Sequence, residues 1–128
     1  MIGAGPGGLI AARWLLSQGF EPTIFEQGPT LGGQWTGLAD QSGVWPTMHT
    51  NTSRIMTAFS DLEHDADLVY PSNREILDYL HRYADMFGLT SRIRFGSTRQ
   101  ASDCVHGMCT KWCRKTSGRA RRTSAGRV

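Results

Sequence analysis

Several things are scarce in this 128-residue chain, and each scarcity narrows what it can be. Residues 1–95 contain no lysine and no cysteine; the three cysteines, Cys104, Cys109 and Cys113, crowd into the last quarter. An odd number of cysteines without an export signal argues against a disulfide framework and leads to the expectation of a reducing, cytoplasmic compartment. No apolar run approaches the roughly 20 residues that a membrane-crossing helix needs. The N-terminus carries no basic segment and its apolar stretch is broken by glycines, so no signal peptide is expected. Scarcest of all is chain ahead of the first motif: only Met1 and Ile2 precede a glycine-rich turn, and such turns normally follow a β-strand.

What is present fits one globular domain, with 39% hydrophobic and 20% charged residues. The net charge of +3 averages two unlike pieces. Residues 1–95 set six arginines against ten acids, a net −4, whereas residues 96–128 set eight Lys and Arg against Asp103, a net +7. A break that sharp predicts a boundary, with a folded part over 1–95 and an irregular basic tail over 96–128.

Leu9, Ala12, Leu15 and Leu16 recur at helical spacing and predict a helix over Leu9–Gln18, with Gly19 as its stop. The β-branched and aromatic run Pro22-Thr23-Ile24-Phe25-Glu26 reads as a strand, completing a βαβ unit with the residues around Gly3. Residues 27–71 hold no sustained period, and a loop of that length inside a domain implies a cover over a ligand. Ser72 to Glu75 has the form of a capping box, followed by Ile76, Leu77, Leu80, Ala84 and Phe87 at helical spacing and by Gly88 as a stop. Arg92-Ile93-Arg94-Phe95 reads as another short strand.

The chemistry is concentrated at Gly3-Ala4-Gly5-Pro6-Gly7-Gly8, which satisfies G-x-G-x-x-G. Gly3 permits a tight turn, Gly5 lets the backbone approach a pyrophosphate, and Gly8 lets helix and strand pack closely. Pro6 and Gly7 open the helix whose N-terminus offers N–H groups and a positive dipole end to phosphates. Glu26 lies 18 residues past Gly8 at the end of the second strand, where an acid accepts hydrogen bonds from a ribose, with Gln27 beside it. A glycine turn in an unrelated α/β protein would explain Gly3 and Gly5 but not the acid at that distance. The glycines alone leave NAD and FAD both open.

The following stretches carry a resemblance. Gly32-Gly33-Gln34-Trp35 gives G-G-x-W, and Thr50-Asn51-Thr52-Ser53-Arg54 gives T-N-x-S-R, behind the G-x-G-x-x-G-x-x-x-A of residues 3–12 and the Phe25-Glu26 pair. From Met1 to about Phe95 this order resembles the flavin-containing monooxygenases. The related Baeyer–Villiger group usually carries an Arg-Tyr-Pro-Gly-like element after G-G-x-W, and this sequence does not. The resemblance implies a Rossmann-like FAD-binding fold with a parallel sheet. It implies FAD and NADPH as cofactors, with Gly3, Gly5, Pro6, Gly7, Gly8, Glu26 and Gln27 on the FAD nucleotide. Gly33, Gln34, Trp35 and Thr50 would lie along the flavin, and Asn51 would be the catalytic residue at its reactive edge. The activity implied is oxygenation of a soft nucleophile, an amine nitrogen or a sulfide sulfur, with molecular oxygen and a small-molecule substrate as partners. By residue type alone, Trp35 and Trp45 read as core residues and Asn51 as a turn residue.

Two departures from the family pattern shape the expectation for the whole chain. The strand before Gly3 is short, and no second glycine-rich motif or F-x-G-x-x-x-H element for NADPH occurs in the sequence. The chain therefore reads as an N-terminal piece that lacks turnover by itself, with a tail that looks like another reading frame of an arginine-rich coding region. Cys104, His106, Cys109 and Cys113 match no common zinc spacing, so no metal is expected. His49, His64 and His81 are scattered, His81 on a solvated helix face. Arg119 to Arg122 has no aromatic platform beside it, so it reads as a solvated tail rather than a nucleic-acid site. The other readings are a simpler FAD- or NAD-binding oxidoreductase, a non-catalytic product, or a basic-tailed nucleic-acid binder.

Overall fold

A computed structural model describes residues 1–38 and 43–98, together with the backbone of 99, 104–105, 108–109 and 112–114. Helix α1 runs over Pro6–Ser17 and buries Leu9 and Ala12. Strand β1, Ile24–Phe25, lies between the opening residues and β2, Ile93–Arg94. All three segments are parallel, in the register Ile2 opposite Phe25, Ile24 opposite Ile93 and Phe25 opposite Arg94. The opening residues pair as a strand would: Phe25 N–H donates to the Met1 carbonyl (2.9 Å) and Gly3 N–H to the Phe25 carbonyl (2.8 Å). The fold is thus Rossmann-like, a small parallel sheet with helices packed on it.

Helix α3, Asn73–Met86, is the backbone of the core. Its capping box is formed as the sequence predicts. The Ser72 hydroxyl accepts from Glu75 N–H (3.3 Å), and the Glu75 carboxylate accepts from the Ser72 hydroxyl (2.7 Å) and N–H (2.8 Å). Those bonds hold the Glu75 carboxyl below the ordinary carboxylate range. The buried face is Ile76, Tyr79, Leu80, Tyr83 and Ala84, a spacing of three and four that presents one stripe to α1 and the sheet. The two tyrosines belong to that stripe, which the aliphatic pattern alone does not reveal.

The stretch 27–71 is not featureless. It holds a 3₁₀ turn at Gly33–Thr36 and a one-turn helix α2, Arg54–Thr57, capped by Ser53. The chain then hangs on the phenols of α3. The Tyr79 hydroxyl accepts from Phe59 N–H (2.7 Å) and donates to the Leu62 carbonyl (2.6 Å), while the Tyr83 hydroxyl donates to Asp61 (3.2 Å). Arg13 of α1 joins the same group, with Asp61 at 3.4 Å and its guanidinium over the Phe87 ring.

Beyond the boundary expected at 95/96 the backbone continues as strands. Ser97 N–H donates to the Glu26 carbonyl (2.8 Å), and β3, Ser97–Arg99, pairs antiparallel with β6, Trp112–Arg114. The short β4, Cys104–Val105, and β5, Met108–Cys109, pair between them. The rest of the expected tail, Arg119 to Arg122 included, lies outside the described residues.

Burial raises the pKa of both phenols, Tyr79 and Tyr83, and the Asp61 carboxylate adds to the rise. A raised pKa means the folded state resists ionisation, so this contribution is present below about pH 10 and lost above it. Tyr79→Phe, which strands the Phe59 N–H and the Leu62 carbonyl, should cost about 1–3 kcal/mol in urea unfolding at pH 7. An unchanged midpoint would show that those two bonds do not hold the segment.

Candidate dinucleotide site

The turn between the first strand and α1 is shaped by a missing Cβ. On Gly8 that atom would come 1.9 Å from the carbonyl oxygen of Gly3, so α1 lies directly on the turn that precedes it. Gly5 and Gly7 differ. A Cβ on Gly5 would find its nearest neighbour at 3.5 Å, an ordinary contact, and one on Gly7 would meet nothing within 4 Å. Protein packing does not demand glycine at either place, which leaves space for a ligand to approach the backbone. Pro6 supplies the first helical residue, no side chain caps the helix, and no acid sits in its first turn. The leading N–H groups and the positive dipole end therefore face outward for an anion.

Glu26 closes this turn from the sheet. It is 7% exposed, with Oε2 accepting from Ala4 N–H (2.6 Å) and Oε1 accepting from Gly28 N–H (2.7 Å). The acid placed by spacing to meet a ribose is thus first a brace between two stretches of main chain. Each carboxylate oxygen offers two lone-pair directions, so each can accept one further hydrogen bond. Gln27, beside it, is exposed.

The second motif sits against the first. Gly32 N–H donates to the Ala4 carbonyl (2.9 Å), and a Cβ on Gly33 would lie 3.1 Å from the Cα of Gly5. Gly33 also has φ +60°, a left-handed conformation that side chains disfavour, so two requirements for glycine coincide there. Leu77 of α3 lies beneath Gly32, and the Thr36 hydroxyl donates to the Gly33 carbonyl (2.9 Å). Trp35 is half-buried against the core and Gln34 is exposed. Trp45, read by residue type as a core residue, is instead 58% exposed.

Thr50 and Asn51 occupy a separate loop. Thr50 N–H donates to the Pro71 carbonyl (2.8 Å), its hydroxyl donates to the Thr52 carbonyl (2.7 Å), and Asn51 is exposed. The structure thus brings the glycine turn, Glu26 and residues 32–35 into contact, and attaches the Asn51 loop to the start of α3, whose Leu77 backs Gly32. Ala4, Gly28 and Leu77 join the site without being singled out by the sequence pattern. The available signal was weak: Ala4 is the small residue inside G-x-G and is fully buried.

Of the other candidates, His49 is exposed, His81 is half-buried and His64 is buried. Among the described residues no group of three or more His, Cys, Asp or Glu is placed to hold a metal ion, and no helix is long and apolar enough to cross a membrane. The side chains of Cys104, His106, Cys109 and Cys113 lie outside the described residues.

Comparison with known proteins accounts for this geometry. The family model "Flavin-binding monooxygenase-like" matches residues 1–112. The chain belongs to that family. The match runs through the expected 95/96 boundary and covers the strand Ser97–Arg99. Among relatives, flavin-containing monooxygenase 1 of Oryctolagus cuniculus is 34% identical over 103 residues, as is flavin-containing monooxygenase 2 of Homo sapiens. The aligned part covers 77% of this chain but only 19% of either relative, so the chain spans about a fifth of their length.

Solved structures agree. S-allyl-L-cysteine S-oxygenase from Allium sativum superposes with a TM-score of 0.67 at 28% identity, over 75% of this chain and 27% of that one. A steroid monooxygenase bound to NADP gives 0.66 at 31% identity, over 75% and 18% respectively. A cyclohexanone monooxygenase gives 0.66 at 28% identity, over 76% and 18%.

In this family member Gly7 and Gly8 make a controlled pair. Gly8→Ala should destabilise the fold by about 1–3 kcal/mol or more through the clash with the Gly3 carbonyl, while Gly7→Ala should be neutral. Equal urea midpoints for the two variants would contradict the packing described.

Proposed function

We propose that this chain is the FAD-nucleotide-binding part of a flavin-dependent, NADPH-using monooxygenase that oxygenates amine nitrogen or sulfide sulfur. The observation that carries the proposal is the stacking of Gly33 on Gly5 beside the Glu26 carboxylate, which joins the two motifs into one cradle. The residues fit the group. Open space at Gly5 and Gly7 admits a pyrophosphate, the N–H groups at the start of α1 meet its charge, and the spare lone pairs of Glu26 accept the ribose hydroxyls. Gln34 and Trp35, leaving the cradle on the rigid 3₁₀ turn, would line the flavin. Asn51, exposed on its own loop, would offer an amide to the reactive edge.

When bound, the flavin supplies the redox and oxygen chemistry; the protein supplies position and a restricted water supply. The neighbours divide between S-oxygenation, in the Allium sativum enzyme, and ketone or steroid substrates, in the others. The absence of the Arg-Tyr-Pro-Gly-like element and the flavin-containing monooxygenases among the relatives favour the soft nucleophile.

Two measurements test this. Titrating the 128-residue chain with FAD should quench flavin fluorescence saturably, with FMN, which lacks the adenosine half, binding far more weakly. Glu26→Ala should weaken FAD binding by about 10–100-fold, the loss of charged hydrogen bonds to two hydroxyls. Equal affinity for FAD and FMN, or an unaffected Glu26→Ala, would contradict the assignment. With FAD added, NADPH should not be consumed in a substrate-dependent way by this chain alone, as followed at 340 nm.

A further inference from the structure

We propose that His64 is the pin of an acid-sensitive clasp that holds residues 59–70 on α3 and, through Arg54, steadies the loop carrying Asn51. His64 is 8% exposed, and its ring stacks on Tyr79 with centroids 4.4 Å apart and planes 6° from parallel. Its Nδ1 accepts the Ala66 N–H at 3.2 Å, which places the ring proton on Nε2. That Nε2 is buried and has no hydrogen-bond partner among the described residues.

The turn made by this bond presents the Ala66 carbonyl to Arg54 Nη1 at 2.5 Å, while Arg54 N–H donates to the Val69 carbonyl at 2.7 Å. Arg54 opens α2 three residues after Asn51. The Asn51 loop is therefore anchored by Met48 on Asn73 and Thr50 on Pro71 before it, and by Arg54 on the 66–69 turn after it, and the side-chain bond of that last anchor depends on the imidazole.

Protonation would undo that arrangement for a geometric reason. Both nitrogens of a charged imidazole are donors, so Nδ1–H would face Ala66 N–H and the bond would become a repulsion. The charged and titratable groups around the ring are Asp65 and Asp67 of its own segment, Arg54 of α2, and Glu75, Asp78 and Arg82 of α3, besides Tyr79. Asp65 is paired with Arg82, and Glu75 is engaged by Ser72.

Burial holds the His64 pKa below its ordinary value, the Arg82 and Arg54 cations push the same way, and Glu75 opposes them without prevailing. A lowered pKa means the closed form binds the proton less well than the open one. The clasp therefore has its full stability above the ordinary histidine value of about 6.5 and loses it progressively as pH falls from there toward the lowered value. The device works on the free chain and does not depend on the flavin assignment.

The test follows the Ala66 amide and the His64 ring in the same wild-type sample by NMR, from pH 7.5 to 5.0. Hydrogen exchange at Ala66, corrected for its intrinsic pH dependence, should accelerate by up to about tenfold per pH unit as pH falls from about 6.5 toward the lower midpoint of the His64 ring titration. The amides of Leu9 to Ala12 in α1 should keep their protection. In His64→Phe, which keeps a ring against Tyr79 but cannot titrate, the acceleration should vanish. A His64 ring that titrates while Ala66 stays protected would overturn the proposal even if the variant failed to fold. The same acceleration persisting in folded His64→Phe would overturn it as well.

Discussion

A single carboxylate sets the geometry of the site. Glu26 is buried at the end of β1, and its two oxygens hold the N–H groups of Ala4 and Gly28, one each. A carboxylate removed from water needs charge-assisted partners, and main-chain amides supply them at fixed positions. Once Ala4 is held there, its carbonyl faces Gly32, and the second glycine motif is drawn onto the first. The brace thus preorganises the cradle before any nucleotide arrives, lowering the ordering cost that binding would otherwise carry.

The glycines serve this arrangement in different ways. Gly8 and Gly33 are required by the protein, because a side chain there would strike the main chain of Gly3 or Gly5. Gly5 and Gly7 are free of such conflict, and their smallness makes sense toward a ligand. Helix α3 unites the parts: Leu77 supports Gly32, Tyr79 and Tyr83 carry residues 59–62, and the residues at its N-terminus hold the Asn51 loop. The elements proposed to face the flavin therefore share one support although they lie far apart in sequence.

Much of this was legible in the residue pattern, for reasons that are local. G-x-G-x-x-G, the capping box at Ser72 and the β-branched run before Glu26 each depend on neighbours within a few positions, and each forms where the pattern places it. The short strand Ile93–Arg94 was also legible, although its parallel partner was not. What the pattern could not reveal depends on distant contacts. The burial of Tyr79 and Tyr83 follows from Phe59, Leu62 and Asp61 arriving from another segment, and the brace role of Glu26 follows from Gly28 folding back. Tyrosines are amphipathic, so periodicity alone does not assign them to a core. The strands beyond residue 95 pair across a dozen residues with little apolar alternation, which leaves no period to read.

The most direct test is the backbone amide spectrum of the chain during titration with ADP, the part of FAD proposed to occupy the cradle. Saturable shifts are expected at Ala4, Gly5, Gly7, Gly8 and Gly28, and at Gly33 although it lies 25 residues beyond Gly8 in sequence. Shifts spread over the basic residues past Arg99, with the glycine turn and Gly33 unmoved, would contradict the assignment.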